Sequence, residues 1–142
     1  LSKTQIAGPI DVPESLRFAI RAESRCCKTA DELLTKVGED IWFCERAVAP
    51  HTDNLPDDLL TFGCIIINDA GHELVIGGQQ YALPVGGLYR IDGRIEHGAV
   101  GSDGLFAVLI WDMPPDYSLA DFERELHADP RFALPNAVRK ED

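Results

Sequence analysis

Apolar positions in the first third of the chain recur at helical spacing. Leu16, Ala19 and Ile20 follow Pro13 and Glu14, with Asp11 upstream as a capping carboxylate, and predict a helix over about 13–23. Thr29 and Glu32 repeat the capping pattern ahead of Leu33, Leu34 and Val37, and Gly38 is a good terminator, so a second helix is expected. From about residue 40 to 112 the pattern changes to short runs of strand type: IWFCERAVA, TFGCIII, ELVI, QYAL, LYRI, IEHGA and LFAVLIWD. Turn chemistry separates them at PHTDNLPDD, NDAG, GG, PVGG, DGR and GSDG. These connections are too short for crossover helices, so the sheets must be mainly antiparallel, as in a sandwich or barrel. TFGCIII and LFAVLI are apolar on both faces, which suits strands lying between a core and covering helices.

Met113, Pro114 and Pro115 end the strand pattern, and Ser118 caps a short amphipathic helix carrying Leu119, Phe122 and Leu126. The expected organisation is one domain over 1–142. It has a helical cover at about 11–38, a β core at about 40–112, and a C-terminal helix and tail at 116–142.

Charge narrows the function classes. The 142 residues include 24 acidic and 13 basic side chains, giving a formal net charge of -11, which repels a phosphate backbone and argues against nucleic acid. No apolar run is long enough to span a membrane, and the first residues lack the basic-then-apolar pattern of a leader. The 4 cysteines, Cys26, Cys27, Cys44 and Cys64, contain no Cys-x-x-Cys spacing, so neither a zinc knuckle nor a redox pair is expected, and a cytoplasmic location is the simplest reading. Cys44 and Cys64 are expected to be buried small hydrophobes, and His72, beside the NDAG turn, to be exposed.

The candidate chemistry lies in His51-Thr-Asp53 and His97. Two imidazoles and one carboxylate on neighbouring strands suit the facial triad of non-heme Fe(II) enzymes, which leaves the opposite coordination positions open. His127-Ala-Asp129 repeats the spacing beyond the strands, with no histidine after it, and serves as background. Trp42 and Trp111 are expected in the core or at its rim, and Pro84, Gly86 and Gly87 read as turn formers.

The order His-x-Asp, then GGQQYALPVGGLYRIDGRIEHGAV, then LFAVLIWD resembles the double-stranded β-helix of the 2-oxoglutarate and Fe(II)-dependent oxygenases, within the wider cupin-like architecture. Gly78-x5-Pro84-x-Gly86 is also similar to the second cupin motif, although Tyr89 stands where that motif has histidine. The resemblance covers about residues 40 to 112. It implies a double-stranded β-helix, or jelly roll, for the β core; with the helices read from the pattern above, the expected fold is a mainly β jelly roll with two N-terminal helices and a short C-terminal helix. It also implies that His51, Asp53 and His97 ligate Fe(II), and that 2-oxoglutarate chelates the same ion. In that family a basic residue early in the last strand pairs with the far carboxylate of 2-oxoglutarate, whereas GLFAVLIWD has none. Arg90 and Arg94 are then the candidates for that anion, with Tyr81 lining the pocket. The expected substrate is a small molecule or a protein side chain. A non-catalytic cupin-like binding or assembly domain, pairing as a homodimer through its sheet, is the alternative, as is a metal cupin enzyme without 2-oxoglutarate.

Overall fold

The computed structural model describes residues 4–25, 35–37, 40–56 and 58–132. Its strands are β1 (Gln5–Ala7), β2 (Thr35–Val37), β3 (Ile41–Cys44), β4 (Val48–His51) and β5 (Leu60–Asn68), followed by β6 (Glu73–Ile76), β7 (Gln79–Tyr81), β8 (Leu88–Ile91), β9 (His97–Val100) and β10 (Phe106–Met113). Two helices, α1 (Glu14–Ser24) and α2 (Leu119–Ala128), precede and follow the β core.

All pairings are antiparallel. The strands form a six-stranded sheet in the order β1-β8-β5-β10-β3-β2 and a four-stranded sheet in the order β4-β9-β6-β7. Within β3 to β10 the first strand pairs with the last, β4 with β9, β5 with β8, and β6 with β7. A long hairpin folded over on itself gives this nesting, with successive rungs alternating between sheets, and it is the pairing of a jelly roll.

The two sheets enclose one apolar layer, in which Cys44, Ile65, Tyr89, Ile91, Phe106 and Val108 meet Ile76 and Ala99. The opposite face of the larger sheet carries Phe43, Phe62, Leu88 and Leu109, covered by Leu16 and Ile20 of α1 and by Phe122 and Leu126 of α2. β5 and β10 are therefore buried on both sides, as their unbroken apolar runs require. In α2, Ser118 accepts from the Asp121 N–H and Asp121 accepts from the Ser118 N–H, closing the expected capping box.

Several expectations need correction. Pro13 is the N-cap of α1 and no side chain caps it, so Asp11 does not act as expected. Residues 35–37, assigned above to the end of a second helix, instead form β2 on the edge of the larger sheet. Pairing with β3 satisfies that backbone, and the β-branched Thr35 and Val37 favour a strand once a partner is present. One N-terminal helix is thus seen among the described residues; residues 26–34, with Cys26, Cys27 and the start of the expected second helix, lie outside them. IWFCERAVA is two strands, because the chain bends at Glu45 and Arg46 and crosses from one sheet to the other. β1 has only three residues, too few to show a period, and it covers the β8 edge.

His72 is also not exposed. It is 3% accessible, its ring stacks on Phe106 at 4.7 Å, and its Nε2 lies 3.1 Å from the Arg46 carbonyl. Cys44 and Cys64 are buried as expected, and burial pushes the Cys64 thiol up to about 12, which leaves it inert near neutral pH.

Candidate metal centre

The triad is assembled by two strands and one loop. His51 ends β4 and stands directly opposite His97, the first residue of β9. Val48 also pairs with Ala99, so three steps along β4 match two along β9, and β4 carries a bulge between these pairs. The extra residue decides which way His51 faces. In an unbroken strand, residues three apart point to opposite faces, whereas here Val48 and His51 line the same cavity. Pro50 lies within this bulged segment, and β4 is an edge strand, where the missing N–H is tolerated.

Asp53 follows in the loop after β4. Its N–H donates to the Gly93 carbonyl at 2.8 Å, and Gly93 packs so closely that a Cβ there would lie 2.9 Å from Asp53 Oδ2. Arg94 braces the same loop, since its Nη1 donates to the Pro56 carbonyl at 3.2 Å while its Nε donates to Asp92 at 2.8 Å.

The carboxylate sits between the two rings. Asp53 Oδ1 is 3.5 Å from His51 Nε2, and Oδ2 is 3.3 Å from His97 Nε2. One ligating atom from each of the three residues lies within 4.8 Å of the others. Ligands about 2.1 Å from one ion are separated by roughly 3.0 Å at right angles and roughly 3.4 Å at the tetrahedral angle, so each histidine already stands near a ligand-to-ligand distance from the carboxylate. The ring centroids are 4.5 Å apart and tilted by 55°, which lets both Nε2 atoms face the carboxylate without stacking.

The protons of the rings are placed by their other nitrogens. His51 Nδ1 lies 2.9 Å from the Ala49 carbonyl, and His97 Nδ1 lies 2.8 Å from the Ile95 carbonyl, two residues upstream in each case. A carbonyl only accepts, so Nδ1 carries the hydrogen and, in the neutral ring, Nε2 presents a lone pair. Two lone pairs and a carboxylate then face one point with no donor among them, a set suited to a cation. Backbone carbonyls holding Nδ1–H are a common outer shell of metal-bound histidine. The His97 side chain is 14% exposed, against 43% for His51 and 36% for Asp53, so the site is open on one side.

Behind the triad lies a cavity of about 140 Å³. Its apolar wall comes from Trp42, Val48, Leu74, Phe106, Val108 and Ile110, and its polar groups besides the triad are Thr61 and Tyr89. The Tyr89 ring lies across Gly63 on the neighbouring strand, where any Cβ would overlap it. Burial raises the pKa of Tyr89, with Cys64 and the carboxylates of Asp53 and Asp112 adding to the shift, so the phenol stays protonated. Thr61 donates to Asp112 at 3.1 Å.

The other expected site residues stand apart. Alternation along β8 directs Tyr89 and Ile91 between the sheets and Leu88 and Arg90 to the helix side. Arg90 donates to the Pro115 carbonyl at 3.1 Å and sits 6.0 Å from the Phe62 ring centroid. Arg94 holds the Asp53 loop and does not line the cavity. Tyr81 lies on β7, at the opposite edge of the sheet from β4, and bonds Gln79 at 3.2 Å. The background pair does not converge either: His127 faces Glu123 at 3.6 Å while Asp129 bonds Arg131. Of the two indoles, Trp42 lines the cavity, whereas Trp111 packs edge-on against Phe122 and donates to Asp40 at 2.9 Å.

Tyr89 and Thr61 are the wall residues that sequence reasoning missed. The alternation in LYRI sets Tyr89 opposite Arg90, but only the sheet packing reveals which of the two faces inward.

No protein-family model matches the chain, and no curated protein is significantly similar to it. The geometry of the triad therefore carries the functional reading. Among the described residues no helix is long and apolar enough to cross a membrane.

Proposed function

We propose that the chain is a mononuclear non-heme metal enzyme, with Fe(II) the best-suited ion, that oxidises a small molecule. The observation that carries this reading is the repeated Nδ1 anchor, which turns both Nε2 lone pairs toward the Asp53 carboxylate. When bound, such an ion supplies dioxygen activation at its open positions. The protein's own contribution is placement. His51, Asp53 and His97 hold the ion at the mouth, the apolar wall excludes water and seats the substrate body, and the Tyr89 phenol offers a hydrogen-bond donor beside it.

The 2-oxoglutarate version of this chemistry has less support. It requires a cation for the far carboxylate, and Arg90 and Arg94 are engaged away from the cavity. We therefore favour a metal enzyme without that cosubstrate.

Anaerobic calorimetric titration of metal-stripped protein with Fe(II) or Mn(II) tests the reading. Binding at one site on the order of 1 µM or tighter is expected, and His97→Ala should weaken it by roughly 100-fold. At 100 times the wild-type dissociation constant, the metal should add about 2.7 kcal/mol to unfolding stability in the wild type and only about 0.4 kcal/mol in the variant. Equal affinity in wild type and His97→Ala would refute the site.

A further inference from the structure

The cavity wall restricts what the proposed centre can accept. Among the described residues that line it, none is lysine or arginine, and Asp53 is the one carboxylate. A divalent ion held by one carboxylate and two neutral imidazoles keeps one uncompensated positive charge. One oxyanion on the substrate balances it; a second, if seated between the sheets, meets no cation among the lining residues and loses water without compensation.

Size sets the other limit. The volume of about 140 Å³ is close to that of an apolar cavity of roughly 150 Å³ able to hold benzene. The wall is apolar except for the Trp42 indole N–H, Thr61, Tyr89 and the triad. Charged and apolar requirements are thus separated in space, with charge at the triad and an uncharged layer behind it.

We infer that the substrate is a small molecule with one metal-ligating oxyanion and an uncharged apolar part, about the size of a single six-membered ring, seated between the sheets, and that dicarboxylates such as 2-oxoglutarate are held more weakly than such monoanions. The oxyanion half rests on the metal reading above, whereas the limit on the body rests on the cavity alone.

Two titrations separate these halves. Benzene added to metal-free wild type, followed by NMR, should perturb residues around Val108 and Ala99. Benzoate added to the Mn(II)-loaded protein, followed by calorimetry, should bind at least about 10-fold more tightly than 2-oxoglutarate. Ala99→Leu, which fills the space between the sheets, should weaken both benzene and benzoate by about 10-fold. If circular dichroism shows that this variant does not fold, Val48→Phe at the cavity wall makes the same test. Comparable affinity for 2-oxoglutarate, or benzoate binding unchanged in the filled variant, would overturn the inference. Mn(II) binding without benzoate binding would overturn the inference and spare the metal reading. No Mn(II) binding would overturn the metal reading and the oxyanion half together, and benzene binding in that sample would support the limit on the body.

Discussion

His51 and His97 share a local device, a ring whose Nδ1 is tied to the carbonyl two residues upstream, and this device gives the triad its chemical sense. The tie fixes both the tautomer and the ring plane, so little side-chain entropy remains to be lost on binding an ion. Asp53 is held differently, by its N–H on Gly93 and by the absence of a side chain there. Gly93→Ala should therefore push the carboxylate out of register and weaken Mn(II) binding by about 10-fold, with the fold retained. Calorimetry beside a thermal melt checks this, and unchanged affinity would show that Gly93 does not set the Asp53 position. At this scale His51, Asp53 and His97 are legible in the sequence, because the ligand types and the 44-residue gap between Asp53 and His97 survive without knowledge of contacts. Arg90 is not legible in the same way. Alternation opposes it to Tyr89 but does not say which of them faces the second sheet, and the inward residue proves to be the phenol.

Elements are positioned by devices that a hydrophobic pattern shows only in part. IWFCERAVA carries no glycine or proline where the chain changes sheets at Glu45 and Arg46, so two strands read as one, and the bulge that aims His51 leaves no mark beyond Pro50. The spacing of Leu33, Leu34 and Val37 suits a helix, and only pairing with the β3 edge decides otherwise for residues 35–37. The short 3-10 helix at Pro130–Phe132 is fastened by charge: Arg131 donates to both oxygens of Asp40 at 2.8 Å and also to Asp129. Hydrogen bonding from Arg131 holds both carboxyls below their usual range. Stability from groups with depressed folded pKa values is present above the unfolded value of about 3.9 and is lost as pH falls through the lower folded values. Arg131→Ala should cost roughly 1 kcal/mol near neutral pH, given partial solvent screening of the guanidinium. Urea denaturation should show that difference shrinking below about pH 4; a constant difference down to pH 3 would assign the effect to packing.

Across the whole molecule, nesting of the strands converts sequence separation into contact. Because β4 pairs with β9, a histidine near the start of the core meets one near its end, and the loop carboxylate drops between them. His51, Asp53 and His97 are among the residues that line the space between the sheets, so the cavity and the triad are parts of one site. Under the proposed function, one divalent ion occupies this point through Nε2 of each histidine. A crystal structure of the protein grown with Mn(II), with the metal located by its anomalous signal, tests it most directly. A single ion is expected about 2.0–2.2 Å from His51 Nε2, His97 Nε2 and an Asp53 oxygen, with both Nδ1 atoms still on their carbonyls. An ion bound through Nδ1, an ion bound elsewhere, or no ion between these three side chains would contradict it.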